Sequence, residues 1–147
     1  MTEPVAQVSR NIEAPAADVW DALTSAEKAS TFFMGATADS DFEVGSPITF
    51  EGQHEGKSFS DKGEVLEAEP GKRLKFSHWS AMSGAPDTPE HYHTVSFDLE
   101  PQGEKTRVTL TQANLQGGVT EADREHRARF EKNWQTVLDG LSKAVGH

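Results

Sequence analysis

Histidines and carboxylates cluster between residues 78 and 93, and they are the residue types here best suited to chemistry. His91 and His93 alternate in the stretch TPEHYHTVSF, and His78 stands near the end of the preceding strand pattern. Imidazole titrates near neutral pH, so a well-placed histidine can transfer protons, bind a polar group or hold a metal. Asp87 and Glu90 lie between these histidines in the sequence, where either carboxylate could orient an imidazole.

Three interpretations of the histidines compete. In the first, His78 and His93 are hydrogen-bonded polar residues that close one end of an apolar pocket. In the second, they orient the carbonyl or hydroxyl head of a ligand. In the third, one of them is the general acid or base of an enzyme, and Glu90 or Asp87 orients it. A metal site that includes His91 is a subordinate version of the third, because its other ligands are not identified, so we predict no metal and no cofactor.

The strand pattern predicts which residues lie near these histidines. Alternation with a period of two places His93 on the same face as Phe97, and His78 on the same face as Phe76. The apolar residues mark that face as inward, so both histidines are predicted to point toward the interior. The residues predicted to line or support a ligand cavity there are Phe50, Leu74, Phe76, Phe97, Trp134 and Leu138, together with the two histidines.

The neighbouring residues are interpreted as having structural roles. Asp61 and Lys62 are typical of a solvated turn, and Gly63 suggests a β-bulge. Trp79 is predicted to point away from His78, because successive strand residues face opposite sides. The sequence contains no G-x-S-x-G, H-E-x-x-H, G-x-G-x-x-G or P-loop pattern, which argues against the common hydrolase, metalloprotease and nucleotide-binding schemes.

The order of elements predicts an α+β fold with an antiparallel sheet. A first strand near Val5 ends before Pro15, and two short helices follow, the second capped by Ser25. Alternating strand patterns broken by turns then occupy residues 36–115. After these, residues 120–145 repeat apolar side chains every three or four positions, which predicts a helix about 39 Å long that lies across the sheet. We interpret residues 1–147 as one domain.

Composition limits the partners of the chain. A net charge of −10 over 147 residues opposes binding to nucleic acid or to an anionic membrane surface. The absence of cysteine excludes disulfides, thiol nucleophiles and cysteine-based zinc sites. The first ten residues lack the apolar core of a secretory signal, so we expect a cytoplasmic protein. Nothing in the sequence indicates an oligomeric state.

Three segments carry a resemblance to a known family: IEAPAADVWDAL, GEVLEAEPGKRLKF and FEKNWQTVLDGLSKAV. In this order the chain resembles the START-like SRPBCC superfamily, and within it the family of homologues of the activator of the heat-shock-protein-90 ATPase. The resemblance implies a helix-grip fold, in which a curved antiparallel sheet wraps around a long C-terminal helix. It also implies an apolar cavity between helix and sheet that binds lipids, sterols or polyketides, with cyclisation, dehydration or hydrolysis in some members.

We therefore expect the protein to bind a small, largely hydrophobic molecule between the C-terminal helix and the sheet. Two alternatives stay open. One is a polyketide cyclase-like enzyme, or a small-molecule lyase or hydrolase, that uses a cavity histidine. The other is a stress-related module that stimulates a chaperone ATPase. The resemblance alone does not carry that activity across, because the heat-shock activators work within a larger protein that has an additional domain.

Overall fold

A computed structural model describes residues 5–25, 37–54, 57–80, 86–88, 91–115 and 117–145. The α+β expectation is confirmed, whereas the predicted second short helix lies outside the described residues. The elements are β1 (Ala6–Ile12), α1 (Ala16–Leu23), β2 (Thr37–Ser40), β3 (Pro47–His54), β4 (Lys57–Glu69), β5 (Arg73–Ser80), β6 (His93–Gln102), β7 (Lys105–Asn114) and α2 (Glu121–Val145).

The seven strands form one curved antiparallel sheet with the order β1-β7-β6-β5-β4-β3-β2. Strands β2 to β7 follow one another as a meander, and β1 adds to the free edge of β7. The turn between β6 and β7 contains Gly103 at φ 72°, a conformation that glycine adopts without a steric penalty. The antiparallel meander predicted from the turn residues is therefore confirmed.

The long helix α2 begins with the reciprocal hydrogen bonds of a capping box. The Asp123 N–H donates to the Thr120 hydroxyl, and the Thr120 N–H donates to the Asp123 carboxylate, both at 3.0 Å. Only the second half of α2 is deeply buried, through Val137, Leu138 and Leu141. The helix as a whole packs mainly against β1 and α1, in the manner of a helix-grip fold.

The core lies between α2, α1 and the inward face of the sheet. Phe76 and Phe97 are its largest fully buried side chains, and their neighbours on the inward face of the central strands are also apolar. Burying each such side chain contributes about 1.5–3 kcal/mol relative to leaving it exposed. This burial holds the central strands in a fixed register.

Gly63 is required by a close approach of two backbones. A Cβ atom at this position would lie 1.7 Å from the Ser77 carbonyl oxygen of β5. Next to it, the Glu64 N–H donates to the Ser77 hydroxyl at 2.9 Å. The sequence interpretation placed a bulge at Gly63, but the register shifts further along β4, between Val65 and Glu67. The glycine therefore serves the approach of β5 and not the bulge itself.

We expect Gly63→Ala to lower the free energy of unfolding by about 3 kcal/mol, the upper end of the overpacking range, because backbone atoms cannot move aside locally. Gly103→Ala is the matched control, since a Cβ there meets nothing within 4 Å and only the positive φ is unfavourable. That control should lose about 1–2 kcal/mol. Urea unfolding of both variants measures the difference, and equal losses would contradict the close approach.

Candidate functional site

Three polar side chains form a row across the inward face of the sheet. The register of β5 and β6 places His78 opposite His93, and that of β6 and β7 places His93 opposite Asn114. The next pair on the same face is Phe76 and Val95, both buried. Both histidines are only partly buried. The sheet thus brings together the two histidines singled out in the sequence, at the polar end of an apolar face.

Asp61 is the carboxylate that contacts His78, and it comes from β4. Its Oδ2 atom lies 3.0 Å from His78 Nε2, and the side chains of Asp61 and His78 are 14% and 23% exposed. A carboxylate can only accept, so His78 Nε2 donates this hydrogen bond and Nδ1 is the acceptor of the neutral ring. The ring of Phe50, which lies opposite Asp61 in the register, meets the His78 ring edge-on at 5.8 Å.

The interpretation of Asp61 as part of a solvated turn is wrong. Strand β4 runs without interruption through Lys57–Glu69, so Asp61 lies in its middle. Alternation along the strand then places Asp61 on the same face as buried Val65, while Lys62 takes the outer face. The polar stretch SDKG resembles a turn in composition, but it is a strand with its polar side chains divided between two faces.

Asp87 lies away from His93, on the outer face of the sheet. It forms an ion pair with Lys62 and accepts a hydrogen bond from the Tyr92 hydroxyl. The hydrogen bond from Lys62 is the main reason that the pKa of Asp87 lies below its ordinary value. The structure does not place Asp87 where it could orient His93, because Lys62 and Tyr92 already hold its carboxylate. Glu90, the other carboxylate proposed for that role, lies outside the described residues.

The same outer cluster fixes the segment that leads into β6. The indole Nε1 of Trp79 donates to the Pro86 carbonyl at 3.1 Å, and its ring stacks on Tyr92 with 6.5 Å between centroids. Trp79 therefore points away from His78, as predicted. His91 also belongs to this segment, with Nδ1 at 2.9 Å from the Thr88 hydroxyl. A groove of about 500 Å³ lies beside the cluster and is lined in part by Lys62, Tyr92 and Leu115.

At its other end the polar row is bonded to α2. Asn114 Nδ2 donates to Asp123 Oδ2 at 2.9 Å, and Trp134 Nε1 donates to Gln112 Oε1 at 2.7 Å. Gln112 precedes Asn114 by two residues on the same face of β7. The first half of α2 is attached to the sheet by polar contacts such as that between Asn114 and Asp123, Trp134 lies at the middle of the helix, and the buried apolar residues lie in its second half. The sequence analysis missed Asn114, Asp123 and Gln112.

Burial is the main reason that a neutral imidazole is favoured at His93. Burial lowers the pKa of His93, and the nearby His78 lowers it further, against an opposing effect of Asp123. For Asp123, burial acts to raise the pKa, but hydrogen bonds from the Thr120 backbone and from Asn114 outweigh it and hold the pKa below the ordinary value. The row therefore presents carboxylates at its two ends with a neutral histidine between them.

The apolar residues predicted to line a cavity lie next to the polar row, further into the core. We call the rings of Phe50, Phe76 and Phe97 the aromatic floor. Their rings are in contact, with 5.6 Å between the centroids of Phe50 and Phe76 and 6.5 Å between those of Phe76 and Phe97. Trp134 is only partly buried and lies against this core. The remaining five are buried in one core cluster: Phe50, Leu74, Phe76, Phe97 and Leu138.

Two further properties concern metals and membranes. In the described ranges, His, Asp and Glu form no group of three or more that could hold a metal ion. Among the helices that the structure describes, none is both long and apolar enough to cross a membrane.

Comparison with known proteins identifies relatives along nearly the whole chain. The family model described as Activator of Hsp90 ATPase homolog 1-like protein matches residues 13–146. A protein from Cytophaga hutchinsonii, solved in solution, is 38% identical, with 97% of this chain and 94% of that chain covered and a TM-score of 0.76. The comparison with curated proteins found no significant match.

Two more distant structures share the fold. The Aha1 dimer from Colwellia psychrerythraea is 22% identical, with 95% of this chain and 94% of that chain covered and a TM-score of 0.70. DynU16, a protein in the dynemicin biosynthetic locus, is 19% identical, with 94% of this chain but 45% of that chain covered and a TM-score of 0.73.

The lowered pKa of His93 predicts a pH-dependent stability. The unfolded chain takes up a proton near the ordinary histidine value of 6.5, whereas the folded chain does so only at lower pH. Stability is therefore complete above that value and is lost as the pH falls through it. We expect the melting temperature to decrease between about pH 7.5 and about pH 5.5, and His93→Gln to reduce this decrease.

The exposed His126 of α2 provides the control, because His126→Gln removes an imidazole ring without touching the polar row. Differential scanning fluorimetry across the pH series measures all three proteins. If His93→Gln and His126→Gln show the same pH dependence, burial of a neutral His93 is contradicted.

Proposed function

Since the chain belongs to the Activator of Hsp90 ATPase homolog 1-like family, we propose that it binds a small, largely hydrophobic molecule between α2 and the inward face of the sheet. His78 and His93 lie at the polar end of this site. The observation that carries the proposal is the polar row at the end of an aromatic floor, on the face that α2 covers. Ligand sites of this kind combine an apolar lining with a few placed polar groups.

The two parts of the face have different roles in binding. Apolar surface near Phe50 and Trp134 supplies affinity, at about 25 cal/mol for each Å² removed from water. The histidines supply orientation, because His78 offers an acceptor at Nδ1 when Asp61 holds Nε2. A ligand would therefore lie with its apolar body toward the core and its polar end at the row.

The attachment of α2 supports an entrance near the polar row. The buried apolar residues of α2 are Val137, Leu138 and Leu141, all in its second half. Its first half is held by hydrogen bonds, from Asn114 to Asp123, from Arg127 to the Val5 carbonyl and from the Gln7 N–H to Glu131. Segments with few buried apolar contacts open at a lower free energy than the core does. The first half of α2 can therefore move away from the sheet more readily than the second.

Native mass spectrometry of protein purified from its own host tests the proposal, followed by organic extraction of any retained molecule. We expect one defined, largely apolar compound. Trp134→Leu should weaken its binding about tenfold or more, the range found for truncated aromatic anchors. Trp79→Leu is the matched control, because that indole lies on the outer face. Protein that carries no compound, or equal retention by both variants, would contradict the proposal.

An enzymatic function is the second candidate, and the Asp61–His78 hydrogen bond favours it. A carboxylate that fixes the tautomer of an imidazole leaves the other ring nitrogen ready to accept a proton. The reaction would be of the polyketide cyclase kind, or a small-molecule lyase or hydrolase reaction. This reaction class comes from the family resemblance, whereas the biosynthetic locus of DynU16 is a property of that protein.

If the extracted compound is turned over, His78→Ala should lower the rate about 10²–10⁴-fold, the usual contribution of a general acid or base. The pH profile should show one limb that titrates like a histidine. His126→Ala serves as the control on the exposed face of α2. Turnover that survives His78→Ala and His93→Ala would remove both histidines from the mechanism.

A chaperone-linked function remains the third candidate because of the family to which the chain belongs. It requires a direct complex with a chaperone and a change in its ATP turnover. Such contacts would involve exposed residues, whereas ligand binding and catalysis depend on the inward face.

A further inference from the structure

We propose that the bound molecule carries a hydrogen-bond donor, a hydroxyl or an amine, at its polar end, and that Asp61 accepts this hydrogen bond. The inference rests on the proposed function and specifies the chemistry of the ligand head. It also assigns a specificity-determining role to Asp61.

The two oxygens of Asp61 differ in their surroundings. Oδ2 accepts the hydrogen bond from His78, at 3.0 Å. Oδ1 is buried, and within the part of the chain that the structure describes it has no hydrogen-bond partner. A buried carboxylate oxygen without a donor is unfavourable, and native proteins satisfy nearly all such groups. A donor supplied by the ligand would satisfy Oδ1.

The negative charge of Asp61 and Asp123 disfavours a ligand with an acidic head group. The polar row of His78, His93 and Asn114 ends at Asp61 on one side and at Asp123 on the other, so these five residues include two carboxylates and no lysine or arginine. The nearest lysine in sequence, Lys62, points to the outer face and pairs there with Asp87. A ligand carboxylate, as in a fatty acid, would therefore meet like charges at short range, whereas an alcohol or an ammonium group would not.

The neighbours of Asp61 fix the direction in which the donor must approach. The Phe50 ring lies edge-on to His78 and opposite Asp61 in the register, so apolar surface adjoins the carboxylate on the β3 side. His78 occupies Oδ2. A ligand whose apolar body lies on the Phe50 side therefore brings its terminal donor to Oδ1, where a hydrogen bond to a charged acceptor is strong.

Binding of three probes with the same twelve-carbon chain tests the inference: 1-dodecanol below its aqueous solubility limit, and dodecylamine and dodecanoate below their micelle concentrations. Isothermal titration calorimetry of the whole chain near neutral pH gives the affinities. We expect the alcohol and the amine to bind at least about tenfold more tightly than dodecanoate, the size of one hydrogen bond to a charged group. Equal affinity for all three, or tighter binding of dodecanoate, overturns the inference.

Two isosteric variants test whether Asp61 is the residue that causes the preference over dodecanoate. Asp61→Asn replaces an acceptor-only carboxylate with an amide that also donates, so the preference over dodecanoate should fall about tenfold or reverse. Asp98→Asn removes the same charge from the outer face, where Asp98 pairs with Arg73, and should keep the preference. A preference that is unchanged in Asp61→Asn overturns the assignment to Asp61.

The outcomes separate this inference from the proposed function. If the three probes bind the unmodified protein with equal affinity whatever their head group, the proposed binding of hydrophobic molecules is supported and the inference about Asp61 fails. If none of the three binds, the proposed function fails and the inference fails with it. The comparison of probes uses the unmodified chain, so it decides the inference even if Asp61→Asn does not fold.

Discussion

The register of β5, β6 and β7 is the constraint on which the site depends. It aligns His78, His93 and Asn114 in one row, and it places the buried pair Phe76 and Val95 directly behind them. Because strand side chains alternate, a slip of one residue would move the histidines to the outer face and expose the aromatic floor. Burial of the aromatic floor thus fixes the position of the polar groups beside it. The chemistry of the row follows from apolar packing a few ångströms away.

Because side chains alternate along a strand, residues that are adjacent in sequence lie on opposite faces of the sheet and have different roles. Asp61 and His78 form the inward pair, whereas Lys62 and Trp79, the next residue of each strand, belong to the outer cluster with Asp87. The outer cluster holds the segment before β6, so it helps to set where that strand begins. In this way Asp87 supports the position of His93 through the backbone rather than by contact. A function transferred to Asp87 from its closeness in sequence would overlook this separation.

Most of the fold could be predicted from the sequence, because alternation, turn residues and the periodicity of the last helix each act locally. The same alternation correctly placed Trp79 away from His78. The pairing of His78 with His93 could not be predicted, because residues 81–92 separate β5 from β6 and the register across so long a connection depends on distant packing. Asp61 was misassigned since its polar neighbours resemble a turn, although its spacing from Val65 places it on the inward face. Asn114 and Asp123 are in contact because of where α2 crosses the sheet. That position depends on tertiary packing, so no local sequence pattern predicts it.

Two features of α2 connect the fold to the proposed binding. Its second half is anchored by buried leucine and valine, and its first half is held by hydrogen bonds that join Asp123 to Asn114 and Arg127 to the Val5 carbonyl. The most direct test of binding on the inward face is a set of nuclear Overhauser effects between the chain and isotope-filtered 1-dodecanol. The account predicts contacts from the ligand to Trp134 and His78. Contacts confined to Trp79 and Tyr92, beside the outer groove, would contradict it.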